Sequence, residues 1–249
     1  ENSQAHAAAH RARIEWVLQV EGVVSPRDPA TVNPNMATGE VEVAPSSVTV
    51  LNEALTPPFY INEPADVDEQ LRLKYRYLDL RRPEVAEVIK LRHEVVWYIR
   101  QFLVARGFYE IETPTLIKST PEGARDFLVP SRMKLGHFFA LPQSPQILKQ
   151  LLMVAGFEKY FQIARCYRDE DTRANRVAEH TQLDLEMSFV EEADIMGLIE
   201  ELYAGIATQF GRGAIQSTPF PRLDYHEYMA RYGIDRPDLR YGLEVVDIA

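Results

Sequence analysis

With 249 residues, 46% of them hydrophobic, the chain suits one large domain or two unequal ones built on a real core. A formal net charge of −10 excludes nucleic-acid binding through bulk positive charge, so any RNA contact must be local. The single cysteine, Cys166, excludes an internal disulfide and a cysteine-based zinc site, and no apolar run approaches the ~20 residues a membrane span needs.

In chain order, residues 1–16 lack the basic, apolar and small-residue order of a secretory signal, so a soluble cytoplasmic protein with no membrane association is expected. Apolar runs over 16–20, 23–24, 41–43 and 48–51 predict four short strands of a small barrel. Asp28, Pro29, Asn33, Pro34, Asn35 and Gly39 supply the turns between them. Pro57 and Pro58 open a stiff acidic linker that runs to Asp66 and is expected to be the hinge. Arg72, Lys74, Arg76, Arg81 and Arg82 then form the densest basic cluster, which fits a solvated face paired with Asp79 and Glu84 as well as it fits an RNA-facing patch.

Pro83 and Gly107 bound a long amphipathic helix with apolar Val85, Val88, Ile89, Val95, Val96, Ile99, Phe102 and Leu103, feeding a strand over 108–113 that Pro114 stops. Ser144 reads as the N-cap and Pro145 as the first-turn proline of a helix closing at Gly156. Its Ile147, Leu148, Leu151 and Leu152 are expected to face the core, with Gln146 and Lys149 together on another face. A further helix over 193–210 should bury Ile195, Leu198, Ile199, Leu202, Tyr203, Ile206 and Phe210. No internal repeat or low-complexity tract interrupts this order.

Residues 161–190 carry the most information. Both ends alternate polar and apolar like strands, and the middle is a charged loop with Arg173 and Arg176. In the second arm Gln182, Asp184, Glu186 and Ser188 oppose Leu183, Leu185, Met187 and Phe189; in the first, Gln162, Ala164, Cys166, Arg168 and Glu170 share one side. A hairpin face with that many ions is costly to bury unless something charged and polar lies on it, and a ligand bearing both charge signs would fit. Cys166, inside the first strand, reads as a small packing residue.

The hairpin resembles motif 2 of the class II aminoacyl-tRNA synthetases, an Arg-x-Glu strand, a loop and an acidic second strand. Five further blocks extend the likeness: KYRYLDLRRP at 74–83, GFYEIETPTL at 107–116, TPEGARDFLVPSR at 120–132, LPQSPQILKQ at 141–150 and RYGIDRPDLRYG at 231–242. Together they are similar to the bacterial-type aspartyl-tRNA synthetases. The resemblance implies an α+β fold, a class II antiparallel sheet flanked by helices and preceded by a partial OB-fold barrel with a helix near Ala5 to Arg11. It divides the chain into an anticodon-binding part over 1–56, a hinge over 57–75 and a catalytic part over 76–249.

The same resemblance implies an aspartate-tRNA ligase that uses ATP with Mg²⁺ to form aspartyl-adenylate and then charges tRNA-Asp. Arg168 would be the catalytic residue, bridging the α-phosphate and the aspartate carboxylate. Glu122, Gln146, Lys149, Gln182 and Asp184 would complete the aspartate site, with Lys149 as the cation for the side-chain carboxylate. Asp169, Glu170 and His180 would join Arg168 on ATP, Arg173 and Arg176 would touch tRNA, and no residue of the chain would hold metal. The helix, strand and Pro114 would form motif 1, the homodimer interface. Read alone, the Arg168 and Glu170 pair fits an intrastrand ion pair, and Lys149 fits a surface lysine.

Two departures stand out. His180 occupies a position usually held by a phenylalanine that stacks on adenine, and Val177-Ala178 replaces a Gln-Pro pair. The resemblance also implies that the first OB strands, the insertion domain and motif 3 lie outside these residues, so that the chain alone lacks activity. Charging of tRNA-Asn as well, or a non-catalytic RNA-binding or dimerisation role, are the alternatives.

Overall fold

The computed structural model describes residues 3–62, 66–120, 123–171, 173, 176–246 and 248. The chain forms two compact units, Glu1–Glu87 and Val88–Ala249. In the first, helix α1 (Ser3–Arg11) packs against the strand β2 (Val41–Asn52), which pairs antiparallel with β1 (Val17–Pro26). The four short strands expected over 16–51 are therefore two long ones. The irregularities read as strand ends are bulges: the register shifts between Glu21 and Gly22, and a Cβ at Gly22 would lie 2.3 Å from the Ala44 carbonyl oxygen. Between the strands, Asp28 and Asn33 accept backbone N–H bonds from Ala30 and Asn35, the local side-chain closures that make these residues turn formers.

Helices α2 (Glu69–Lys74) and α3 (Arg76–Asp79) settle the basic cluster. Asp79 is fully buried and takes Arg72 Nε at 2.9 Å, with Arg76 and Arg82 closing round it and Arg82 paired also with Glu84. The hydrogen bond from Arg72 holds the Asp79 carboxyl below the ordinary aspartate range. Arg81 pairs with Glu15 at 2.6 Å, so all four arginines of the cluster are spent on protein carboxylates, as in the pairing alternative, but around a buried Asp79 rather than on a solvated face.

The second unit places a three-stranded sheet between helices and carries a separate antiparallel pair, β4 (Leu128–Pro130) with β5 (Phe138–Ala140). β6 (Lys159–Tyr167) is central, antiparallel to β7 (Glu179–Met187) and parallel to the short β3 (Tyr109–Glu110). The expected strand over 108–113 thus pairs regularly only over β3. On one face Phe161, Leu183, Leu185 and Met187 pack on Phe102 and Leu103 of α4 (Pro83–Val104), on Phe108, and on Leu198, Leu202 and Ile206 of α6 (Glu192–Phe210). The helices meet closely, since a Cβ at Gly205 would lie 1.9 Å from the Tyr98 hydroxyl. The expected start at 193 moves back to Glu192 because Glu191 and Asp194 form a capping box.

Helix α5 (Gln146–Val154) lies against β6 and β7. Here two expectations are corrected. Pro145, not Ser144, is the N-cap residue; it lacks an N–H, so the helix start gives up nothing there. Ile147 and Leu151 are not turned to the core but exposed, at 47% and 56%, while Lys149 is buried at 8%. The sheet face beneath the helix carries Asp184 and Glu186, so burying that face demands a cation from α5. Tyr203 of α6, expected inside, is likewise exposed.

Candidate active site

The strand register builds the site one rung at a time. Along the polar face of the sheet, Tyr160 pairs with Glu186, Gln162 with Asp184, Ala164 with Gln182 and Cys166 with His180. At one end Lys149 Nζ reaches Asp184 Oδ1 at 3.1 Å, Glu186 Oε2 at 3.2 Å and the Leu185 carbonyl at 3.4 Å. Gln182 Nε2 also donates to Asp184 Oδ1, at 3.3 Å, but Asp184 Oδ2 is buried with no hydrogen-bond partner among the described residues. Burial pushes the Asp184 carboxyl above the ordinary aspartate range against the opposing pull of Lys149. A buried carboxylate oxygen without a partner carries an unmet demand for a donor.

Across the register from Asp184, Gln162 Oε1 accepts from Tyr160 Oη at 2.8 Å and Thr113 Oγ1 at 2.9 Å, which fixes the amide's orientation on the face. Burial pushes the Tyr160 phenol well above its ordinary value, so it stays a protonated donor. Gln146 is half-buried at the start of α5, one turn before Lys149.

At the other end β6 gives way to the loop. Arg168 N still bonds the Ala178 carbonyl at 2.9 Å, and the Arg168 side chain enters a cleft of about 530 Å³ lined also by Glu170, Asp171, Arg176, Val177, His180 and Arg236. Asp169 instead lines a neighbouring cleft with Arg125 and Arg173; its N–H bonds the Arg125 carbonyl at 3.0 Å, and its own carbonyl accepts from Arg125 Nε at 3.2 Å. Arg173 and Arg176 pair through their backbones at the loop. Arg168 and Glu170 form no ion pair with each other. Glu122 lies outside the described residues.

The sequence named Glu186 only as part of a charged face; it is Lys149's second counter-ion. It gave no role to Gln143, which is 3% exposed. The Gln143 amide donates to the Ala124 carbonyl at 2.8 Å and to Asp126, and accepts the Ala124 N–H at 3.1 Å, tying the TPEGARD loop to the start of α5. Arg236 was equally unassigned, because nothing in its local spacing foretells which cleft a loop residue enters. Among the described residues no group of three or more His, Cys, Asp or Glu side chains could hold a metal ion. No helix among them is long and apolar enough to cross a membrane.

The family described as tRNA synthetases class II (D, K and N) matches residues 68–247. An Aspartate-tRNA(Asp/Asn) ligase of Syntrophomonas wolfei is 60% identical over 246 residues, covering 99% of this chain and 42% of that protein. An Aspartate-tRNA ligase of Geobacillus kaustophilus is 56% identical over 248 residues, again over 42% of its own length. The chain thus spans about two fifths of the curated relatives it matches. A crystal structure assigned as an aspartyl-tRNA synthetase from Leishmania major Friedlin superposes with a TM-score of 0.67 at 25% identity, covering 79% of this chain and 40% of that one.

Proposed function

Because the chain belongs to the class II tRNA synthetases of the D, K and N group, we propose that it carries the aspartate-activating site of an aspartate-tRNA ligase. The observation that carries the reading is the buried Lys149 and Asp184 pair with its unpartnered Asp184 Oδ2, on the same sheet face as the Arg168 and His180 cleft. Lys149 receives the side-chain carboxylate of aspartate, and Asp184 Oδ2 with Gln182 receives its ammonium group. An asparagine amide would set NH₂ donors against the Lys149 ammonium, so the acid is preferred. Four residues of strand from Asp184 to His180 span roughly 13 Å, room for the amino acid and the α-phosphate to meet between them.

Arg168 then holds the α-phosphate and the attacking carboxylate together, with Gln146 beside the amino acid. Glu170 and His180 take the adenine, where the imidazole stacks in place of the family's usual phenylalanine. The chemistry asked of these groups is positioning and charge neutralisation rather than covalent catalysis. Magnesium, which neutralises the phosphates when bound, is assigned to no residue of this chain. Arg173 and Arg176 face the 3′ end of tRNA, and Glu122 stands on the ammonium side. The strands before Pro57 act as part of an OB-type anticodon module. Charging of tRNA-Asn as well as tRNA-Asp is the second reading, favoured by the Asp/Asn name of the Syntrophomonas relative. Aspartate-dependent exchange of pyrophosphate into ATP tests the function.

The protein acts as a dimer through 83–114. On α4, Ile89, Trp97 and Val104 fall within about 80° of one another at 100° per residue, on the side of the helix away from the core-facing Phe102. They are 50%, 55% and 58% exposed. An apolar stripe of that kind calls for a partner. In analytical ultracentrifugation the full-length protein is expected to sediment as a dimer at micromolar concentration, and Trp97→Asp to shift it to monomer. A clean wild-type monomer contradicts the proposal.

A further inference from the structure

The 530 Å³ cleft holds three guanidinium groups from three stretches of chain: Arg168 after β6, Arg176 from the hairpin loop, and Arg236 from the segment following α7 (Tyr225–Tyr232). The arginines flanking Arg236 in that segment are spent on carboxylates. Arg231 pairs with Glu227 and Glu244 at 3.0 and 2.7 Å, and Arg240 is held by Asp238, whose Oδ1 also accepts the Arg240 N–H. The Arg236 side chain has no hydrogen bond or ion pair among the described residues, and neither has that of Arg168 or Arg176. Glu170 and Asp171 line the same cleft, which leaves it an excess of cationic groups. Like charges gathered in one concave space repel one another, and an anion relieves that cost. Planar forks of this kind match the oxygens of phosphate. The Val177 side chain, on the same wall, has no polar atom to offer a phosphate.

Resting on the reading of this cleft as the nucleotide site, we propose that Arg236 binds the β- and γ-phosphates of ATP and stabilises pyrophosphate as it leaves. In the activation step an aspartate carboxylate oxygen forms its bond to the α-phosphorus as the bond from that phosphorus to the β-bridging oxygen breaks. The bonding pair stays on that oxygen, so negative charge grows on pyrophosphate, where Arg236 stands. No proton or co-reactant is required. Arg236 is therefore a ligand of the leaving group and makes no contact with aspartate.

Titration calorimetry of the full-length protein with ATP, inorganic pyrophosphate and AMP tests this. Arg236→Gln is expected to weaken pyrophosphate and ATP roughly 10- to 100-fold, to leave AMP within about twofold, and to be partly rescued in Arg236→Lys. Arg212→Gln, which removes the same charge from the turn after α6, is expected to change none of the three. Unchanged pyrophosphate and ATP affinity in Arg236→Gln, an equal loss in Arg212→Gln, or an equal loss for AMP each overturns the role of Arg236. A wild-type protein that binds AMP and ATP while Arg236→Gln matches it overturns this inference alone. A wild-type protein that binds no nucleotide overturns the nucleotide reading and this inference with it.

Discussion

Replacing Lys149 with methionine is expected to lower kcat/KM for aspartate by roughly 30- to 5000-fold in the full-length protein, the loss of a desolvated ionic partner worth ~2–5 kcal/mol. The KM for ATP should move far less, because the Arg168 cleft proposed for the nucleotide lies at the other end of the sheet face. Stability should change too. Were Lys149 a surface lysine, methionine would be neutral; buried between Asp184 and Glu186, its loss strands the Asp184 carboxylate at a cost on the order of 3 kcal/mol near neutral pH. The sign of the pH dependence follows from Asp184. Its folded pKa lies above the unfolded value, so the folded state keeps the proton longer, and the stability this group contributes is present at low pH and lost as pH rises through the folded pKa. Removing the ammonium raises that pKa further. The melting-temperature gap between wild type and Lys149→Met should therefore widen as pH rises and narrow as pH falls into the range where Asp184 is protonated. A variant with unchanged kcat/KM for aspartate would make Lys149 a structural ion only.

Arg168→Lys should behave in the opposite way. The Arg168 side chain is exposed in its cleft and has no protein partner among the described residues, so the melting temperature should hold to within ~0.5 kcal/mol of equivalent stability. Catalysis should not hold. One ammonium cannot make paired contacts to a phosphate and a carboxylate at once, and the loss of such a transition-state contact is expected to cost about 10²- to 10³-fold in kcat. Single-turnover formation of aspartyl-adenylate, followed with radiolabelled ATP, measures it. A rate within a few-fold of wild type would remove Arg168 from the transition state.

The contrast between these two residues shows what the sequence could and could not convey. The alternation of β7 was legible because a strand has a period of two: Gln182, Asp184 and Glu186 had to share a face once Leu183, Leu185 and Met187 were buried, and they do. The environment of α5 was not legible. Its apolar residues occupy enough of the helix that two orientations satisfy the pattern, and only the acidic sheet beneath decides that Lys149 faces inward while Ile147 and Leu151 face out. The same holds for unit Glu1–Glu87, where bulges were indistinguishable from strand ends in the one-dimensional pattern. Contacts made across long stretches of chain left no local trace either: Gln143 bonding Ala124, and Arg236 entering the Arg168 cleft.

Whether this site activates aspartate is tested most directly by amino-acid-dependent exchange of radiolabelled pyrophosphate into ATP by the full-length protein. Exchange is expected with L-aspartate, with asparagine and lysine lower by at least about 10²-fold in kcat/KM, since each reverses or removes the charge that Lys149 is placed to meet. Exchange as fast with asparagine or lysine as with aspartate, or none with any of the three, would contradict an aspartate-activating site.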